Sequence, residues 1–329
     1  MTEAERLRAY FAFDDDVLAR VAEAAEVQRS KTWQTLAKEL PAPKIFKPKH
    51  GKPIEVVEFG PKDSDDVQIY HLAMACGLDP NIMLCVAMLA AVGRGTRIIA
   101  VGNPGAVGRG TGALRLRDMP GVWRGNLNAT VRPTMEYAQA NGVRRAVHIG
   151  YSFGADKAAA AIGLAAEYNQ TVTKAIFMDP AAVMQRSLNN LARAFDEAGE
   201  VLEDYVMAAD IPAYREARKV THKMGHGAVG YIAGLFRPTN VMIAHALAKD
   251  GFETRVRMAL KNQPELKVSI AWGSASELAH HGQMTKLTQR VSNDFAGRVQ
   301  TLVVEHQRHA MGSDLFLHDA IVLQCLKQK

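Results

Sequence analysis

The sequence predicts an α/β protein, a mostly parallel sheet doubly covered by helices. Three observations predict it. Short β-rich apolar runs recur at 54–59, 67–74, 96–101, 145–150, 173–178, 267–272 and 299–305, most within the roughly four to eight residues of a buried strand. Stretches of helical composition, Pro80 to Val92, Ala129 to Asn141 and Ala155 to Tyr168, lie between the middle runs and are long enough for right-handed crossovers. A chain of 329 residues that is 48% hydrophobic and 22% charged can bury a large core, and neither a fixed-period repeat nor a low-complexity tract competes with that reading.

Residues 3 to 39 show helical spacing, with Leu7, Tyr10 and Phe11 on one apolar stripe and Val17, Leu18 and Val21 on a second. The segment from Pro41 to Pro53, rich in proline and lysine, breaks that pattern and reads as a connector, so residues 1–53 form an N-terminal helical extension and linker. Left exposed, the stripes would be sticky; either the chain's own core or lid or a second copy of the chain covers them, and a homo-oligomer joined through these helices is slightly favoured. The strands then follow in 54–180 and 266–329. Between them, residues 181–265 carry helical patterning and read as an inserted lid. Ligand crevices of open parallel sheets lie beyond the carboxyl ends of the strands, which such an insertion would roof.

The turn at 150–154 carries the strongest chemical signal. Gly150-Tyr151-Ser152-Phe153-Gly154 joins the run 145–150 to an alanine-rich helix and matches G-x-S-x-G. A nucleophilic serine at such an elbow occupies a strained conformation, and its flanking glycines are needed where a Cβ would collide with the adjoining strand and helix.

With this motif the chain resembles the α/β-hydrolase superfamily over about residues 54–180 and 266–329. The order of features supports the likeness: HLAM at 71–74, GNPG at 102–105, MDP at 178–180, AWGS at 271–274 and HAMG at 309–312 each end or follow a strand. The resemblance implies an oxyanion hole formed by the backbone N–H of Phe153 and that of Ala73 or Met74. It also implies a histidine base beyond the last strand. His309 fits that place best, ahead of His306, His280 and His281, because Ala310 to Gly312 supply the turn before the closing helix. The family's usual Asp after the penultimate strand is missing: Ser276 stands in its place, followed by Glu277. Glu277 or Asp179, the latter at the end of the strand after the elbow, is left to supply the carboxylate, unless neither does.

The remaining features take plainer readings. His71 is a packed loop histidine. The glycine-rich stretch 102–112 lacks the spacing and lysine of a phosphate loop and reads as a rim of the site. Met184, Met207, Met224 and Met242 suit helix packing or an adaptable acyl pocket. Cysteines at 76, 85 and 325 are too few and too irregularly spaced for a disulfide framework or zinc cluster, so neither metal nor cofactor is implied. A net charge of +6 spread among acidic residues argues against nucleic acid as partner, with Lys44, Lys47, Lys49 and Lys52 a solvated run. No stretch reaches the roughly 18 apolar residues of a membrane span, and the acidic N-terminus is unlike a signal peptide, so cytoplasmic location is expected. The function expected is hydrolysis of a small-molecule carboxylic ester or thioester through an acyl-serine. The alternative is a weakly active or inactive hydrolase-fold protein with a binding or assembly role.

Overall fold

The computed structural model describes residues 2–30, 40–74, 76–78, 80–93, 95–105, 112–208, 211–215 and 237–327. Residues 31–39 of the helical N-terminus, 106–111 of the glycine-rich stretch, and Met224 lie outside them. Eight strands form one sheet: β1 (Lys44–Phe46), β2 (Ile54–Phe59), β3 (Val67–His71), β4 (Arg97–Val101), β5 (Arg145–Tyr151), β6 (Thr171–Met178), β7 (Lys267–Gly273) and β8 (Val299–Val304). Their spatial order is β1-β2-β4-β3-β5-β6-β7-β8. β1 and β2 run antiparallel at one edge, and every pairing from β4 to β8 is parallel.

The period-two alternation of the strands sorts side chains to two faces. Along β6, Ala175 and Phe177 enter one core with Val268, Ile270 and Trp272 of β7. Ile176 and Met178 enter the other with Ala271, Leu302 and Val304. The first core is covered by α5 (Asn128–Ala140), α6 (Phe153–Leu164), α10 (Phe252–Asn262) and α11 (His281–Asp294), and the second by α1 (Glu3–Arg8), α2 (Asp15–Arg29), α3 (Pro80–Gly93) and α12 (Leu315–Lys327). Between α5 and β7 also lie α7 (Leu188–Glu200), α8 (Leu202–Ala208) and α9 (Pro238–Leu247). α4 (Met119–Trp123) precedes α5. No helix among the described residues is long and apolar enough to cross a membrane.

The N-terminal helices pack differently from the expected appendage. Leu7, Val17, Leu18 and Val21 are all buried in the core beside Leu84 of α3 and Phe316 of α12. Burying each such side chain contributes about 1.5–3 kcal/mol. Polar ties hold the same face: Arg6 pairs with Asp314, the Asp14 N–H donates to Gln324 at 3.0 Å, and the Glu305 N–H donates to the Tyr10 carbonyl at 2.8 Å. The apolar stripes that suggested an oligomer are therefore covered by the chain's own helices. The connector also contributes to the sheet, since Lys44–Phe46 adds edge strand β1 and Phe46 packs edge-to-face on Tyr137 at 5.1 Å. Its lysine and proline content suits an edge strand, which has no ladder to complete on its outer side.

Candidate active site

The parallel pairing of β3 to β8 brings their carboxyl ends to one edge of the sheet, and the residues singled out in the sequence meet there. β5 ends at Tyr151 and α6 begins at Phe153, which leaves Ser152 as the single joint, at φ 57° and ψ −127°. A non-glycine residue in such a conformation costs about 1–3 kcal/mol. The neighbours hold it there. The Ser152 N–H donates to the Met178 carbonyl at 2.8 Å, and the Ser152 carbonyl accepts from the Ala155 N–H at 2.9 Å. A Cβ on Gly150 would sit 2.1 Å from the Gly154 carbonyl oxygen, and one on Gly154 would sit 1.9 Å from that of His71. Glycine at both positions is thus what lets helix, strand and the β3 loop close around the serine.

Ser152 Oγ lies 2.9 Å from Nε2 of His309, and Nδ1 of His309 is hydrogen-bonded to the Asp179 carboxylate. Ser152 is only 2% exposed and His309 5%. His309 opens a short 3-10 turn, His309–Ser313, just beyond β8. The Tyr151 ring stacks on its imidazole at 5.4 Å while the Tyr151 hydroxyl donates to the His309 carbonyl. Phe195 of α7 meets the same imidazole edge-on at 6.4 Å. That segment is tied down at the site, because the Arg308 N–H donates to the Tyr205 hydroxyl at 2.9 Å and the Arg308 guanidinium to the Glu197 carbonyl at 2.9 Å.

The two candidate carboxylates are differently engaged. Asp179, at φ 45° just past β6, accepts from the Ser276 hydroxyl at 2.6 Å and the Gly273 N–H at 3.1 Å in addition to His309. Glu277 instead accepts from the Arg308 guanidinium and, at 3.0 Å, from the backbone N–H of His309. It braces the loop that carries the histidine and makes no bond to the imidazole. Ser276, where the resemblance leads one to look for Asp, serves as a donor to the carboxylate one strand away. Asp179, Ser276 and His309 are brought together by the adjacency of β6, β7 and β8, which spacing along the chain does not reveal.

The other histidines face elsewhere. His306 is exposed at φ 58°, its backbone N–H donating to Ser274, and His281 accepts from the Trp272 indole at 3.1 Å. His280 is exposed at the start of α11. His71 is buried under the elbow, its Nε2 3.0 Å from Nδ1 of His148, whose Nε2 meets the Gln170 side-chain oxygen at 2.9 Å. Burial depresses His148 to about 4, and burial together with the neighbouring His148 and Lys157 holds His71 well below the ordinary imidazole range. Both are thus packed as neutral rings at pH 7. An unfolded histidine titrates near 6.5, so the unfolded chain binds more protons than the folded one between about 6.5 and 4. The stabilisation present above pH 6.5 should be lost as pH falls through this window, His148 alone accounting for about 3 kcal/mol. Urea melts at pH 7 and pH 4.5 should show a smaller acid loss for His148→Gln than for the wild type. An equal loss would place the acid sensitivity elsewhere.

The candidate oxyanion donors lie together. Phe153 opens α6, where first-turn N–H groups have no partner within the helix. The loop Leu72 to Met74 lies beside it, since a Cβ on Gly154 would lie 1.9 Å from the His71 carbonyl oxygen and 3.1 Å from that of Leu72.

No known family profile matches the sequence, and no curated protein matches it. Solved structures do match. A membrane phospholipase A described as a bacterial virulence factor superposes with a TM-score of 0.59 at 16% identity, covering 94% of this chain and 93% of its own. A bromoperoxidase from Bacillus anthracis gives 0.56 at 11% identity over 87% of this chain and 100% of its own. A carboxylesterase from Nitrososphaera gargenis gives 0.54 at 13% identity, covering 85% and 96%. At such identities the likeness concerns the fold. The strand order, the crossover helices and these neighbours together show that the chain has the fold of the α/β-hydrolases.

Proposed function

We propose that the protein is a serine hydrolase acting on a small carboxylic ester or thioester through an acyl-serine intermediate. The observation that carries the reading is the hydrogen-bonded chain from Ser152 through His309 to Asp179, set at a strained strand-to-helix turn. In this reading Ser152 Oγ attacks the carbonyl carbon as Nε2 of His309 takes its proton. The tetrahedral oxyanion lies against the N–H of Phe153 and that of Ala73 or Met74. Collapse breaks the bond to the leaving alkoxide or thiolate, which receives the proton from His309, and a water activated by the same imidazole then releases the acid. Asp179 holds the Nδ1–H tautomer and stabilises the imidazolium. No cofactor enters these steps.

Carboxylesterases recur among the structural neighbours, which suits the reading without fixing the acyl group. The rival binding or assembly role is motivated by the missing Asp at position 276 and by the extra N-terminal helices; the hydrogen bond of Asp179 to His309 and the packing of those helices against the chain's own core favour the catalytic reading. In the assay, p-nitrophenyl butyrate should be hydrolysed by the wild type, His309→Ala should lose about four orders of magnitude in kcat or more, and His306→Ala should stay within about threefold. Equal losses in both variants, or a loss only in His306→Ala, would reassign the base.

A further inference from the structure

One turn into α6, in the run Phe153–Leu164 that is otherwise apolar apart from Asp156, stands Lys157. Its side chain is buried, at 1% exposure, and desolvation draws its pKa down to about 7. Asp156 beside it in sequence is committed to Arg255. Among the described residues Lys157 pairs with no carboxylate. Its Nζ donates to Asn103 Oδ1 at 2.5 Å and lies 6.0 Å from the centre of the Phe153 ring. A buried ammonium with one neutral acceptor is poor stabilisation, and an apolar side chain of similar volume would suit the surroundings better.

What the pair does follows from the other end of Asn103. This residue is wholly buried just beyond β4, and its Nδ2 donates to the carbonyl of Leu72 at 3.3 Å and to that of Ala73. A peptide unit is planar, so its C=O and the N–H of the next residue turn together. The Leu72 carbonyl shares its plane with the Ala73 N–H, and the Ala73 carbonyl shares its plane with the Met74 N–H. These are the two candidate oxyanion donors. In its protonated form lysine has donors and no acceptor, so it then binds only the oxygen end of the amide and leaves the nitrogen end to face the loop.

We infer that Lys157 and Asn103 are positioning residues of the oxyanion hole: Asn103 sets the two loop peptide planes through their carbonyls, and Lys157 fixes which end of the Asn103 amide meets them. The inference rests on the acyl-serine reading above. Neither side chain touches the substrate; both act through the amide that does. Their contribution is expressed when charge develops on the oxyanion, so it falls on kcat and spares KM.

The test uses the full-length protein with p-nitrophenyl butyrate as substrate and an aliphatic trifluoromethyl ketone as inhibitor, because its hemiketal presents the same oxyanion. Lys157→Met should melt close to the wild type, lose about 10- to 100-fold in kcat, keep KM within about twofold, and weaken the ketone by the factor lost in kcat. Asn103→Asp retains an acceptor for Lys157 but offers oxygen in place of the donor, and should show the same split. Should Lys157→Met be insoluble, Asn103→Asp decides on the same readouts. Folded variants with kcat within twofold of wild type would overturn the inference, as would a loss of activity that tracks melting temperature and leaves ketone affinity unchanged. A Ser152→Ala protein that still turned over would instead overturn the underlying mechanism, so the two failures are separable.

Discussion

Ser152→Ala is expected to remove turnover of p-nitrophenyl butyrate by about four to six orders of magnitude while the melting temperature stays close to that of the wild type. The side chain adds one hydroxyl to the packing, and that hydroxyl meets His309. The backbone strain at φ 57° is imposed by the β5 to α6 joint and by the close contacts of Gly150 and Gly154, so alanine inherits it. Loss of the nucleophile therefore leaves the frame intact. Circular-dichroism melts together with initial rates check both halves. A folded variant keeping a tenth of the activity would remove Ser152 from the mechanism.

Asp179→Asn should lower kcat by about four orders of magnitude, because an amide can present its N–H to Nδ1 and hold the ring in the wrong tautomer. Asparagine tolerates the left-handed φ of 45° at this position, so the substitution tests charge more than fold. Glu277→Gln should cost about tenfold or less. Its effect is confined to the Arg308 guanidinium and the His309 N–H, which orient the loop. Rates measured on the two purified variants under saturating ester separate the roles. A larger loss in Glu277→Gln than in Asp179→Asn would reverse them.

Much of the frame was legible because strand, crossover and elbow leave local signals. The run at 54–59 became β2 over the same residues, and the G-x-S-x-G turn lies where its glycines require it. The run at 67–74 extends three residues past its strand, β3. The strand ends at His71 because the next residues turn into a loop whose carbonyls bond to Asn103 instead of a strand. The amphipathic stripes of residues 3–29 announced that they must be covered, but periodicity says nothing of the covering surface, which is α3 and α12 of the same chain. The connector concealed β1, since three residues of edge strand carry too little pattern to stand out among prolines and lysines.

The site divided in the same way. Ser152 is marked by the local G-x-S-x-G turn at a strand end, and His309 is the residue that the resemblance points to beyond the last strand. The choice between Asp179 and Glu277 depends on which carboxylate reaches Nδ1 across neighbouring strands, a tertiary property. Ser276 misled because its partner lies across the sheet. Lys157 gave a signal that becomes readable only when its helix is known to be buried on nearly every side, and the part of Asn103 required the structure of the loop after β3.

In the proposed mechanism Ser152 is an activated nucleophile poised for acylation. Its most direct measurement is peptide mapping by mass spectrometry after incubation of the native protein with a fluorophosphonate probe. One adduct per chain is expected, on the peptide bearing Ser152, formed faster in the wild type than in His309→Ala and absent from Ser152→Ala. Folded wild-type protein that stays unlabelled, or that carries the adduct on another residue, would contradict it.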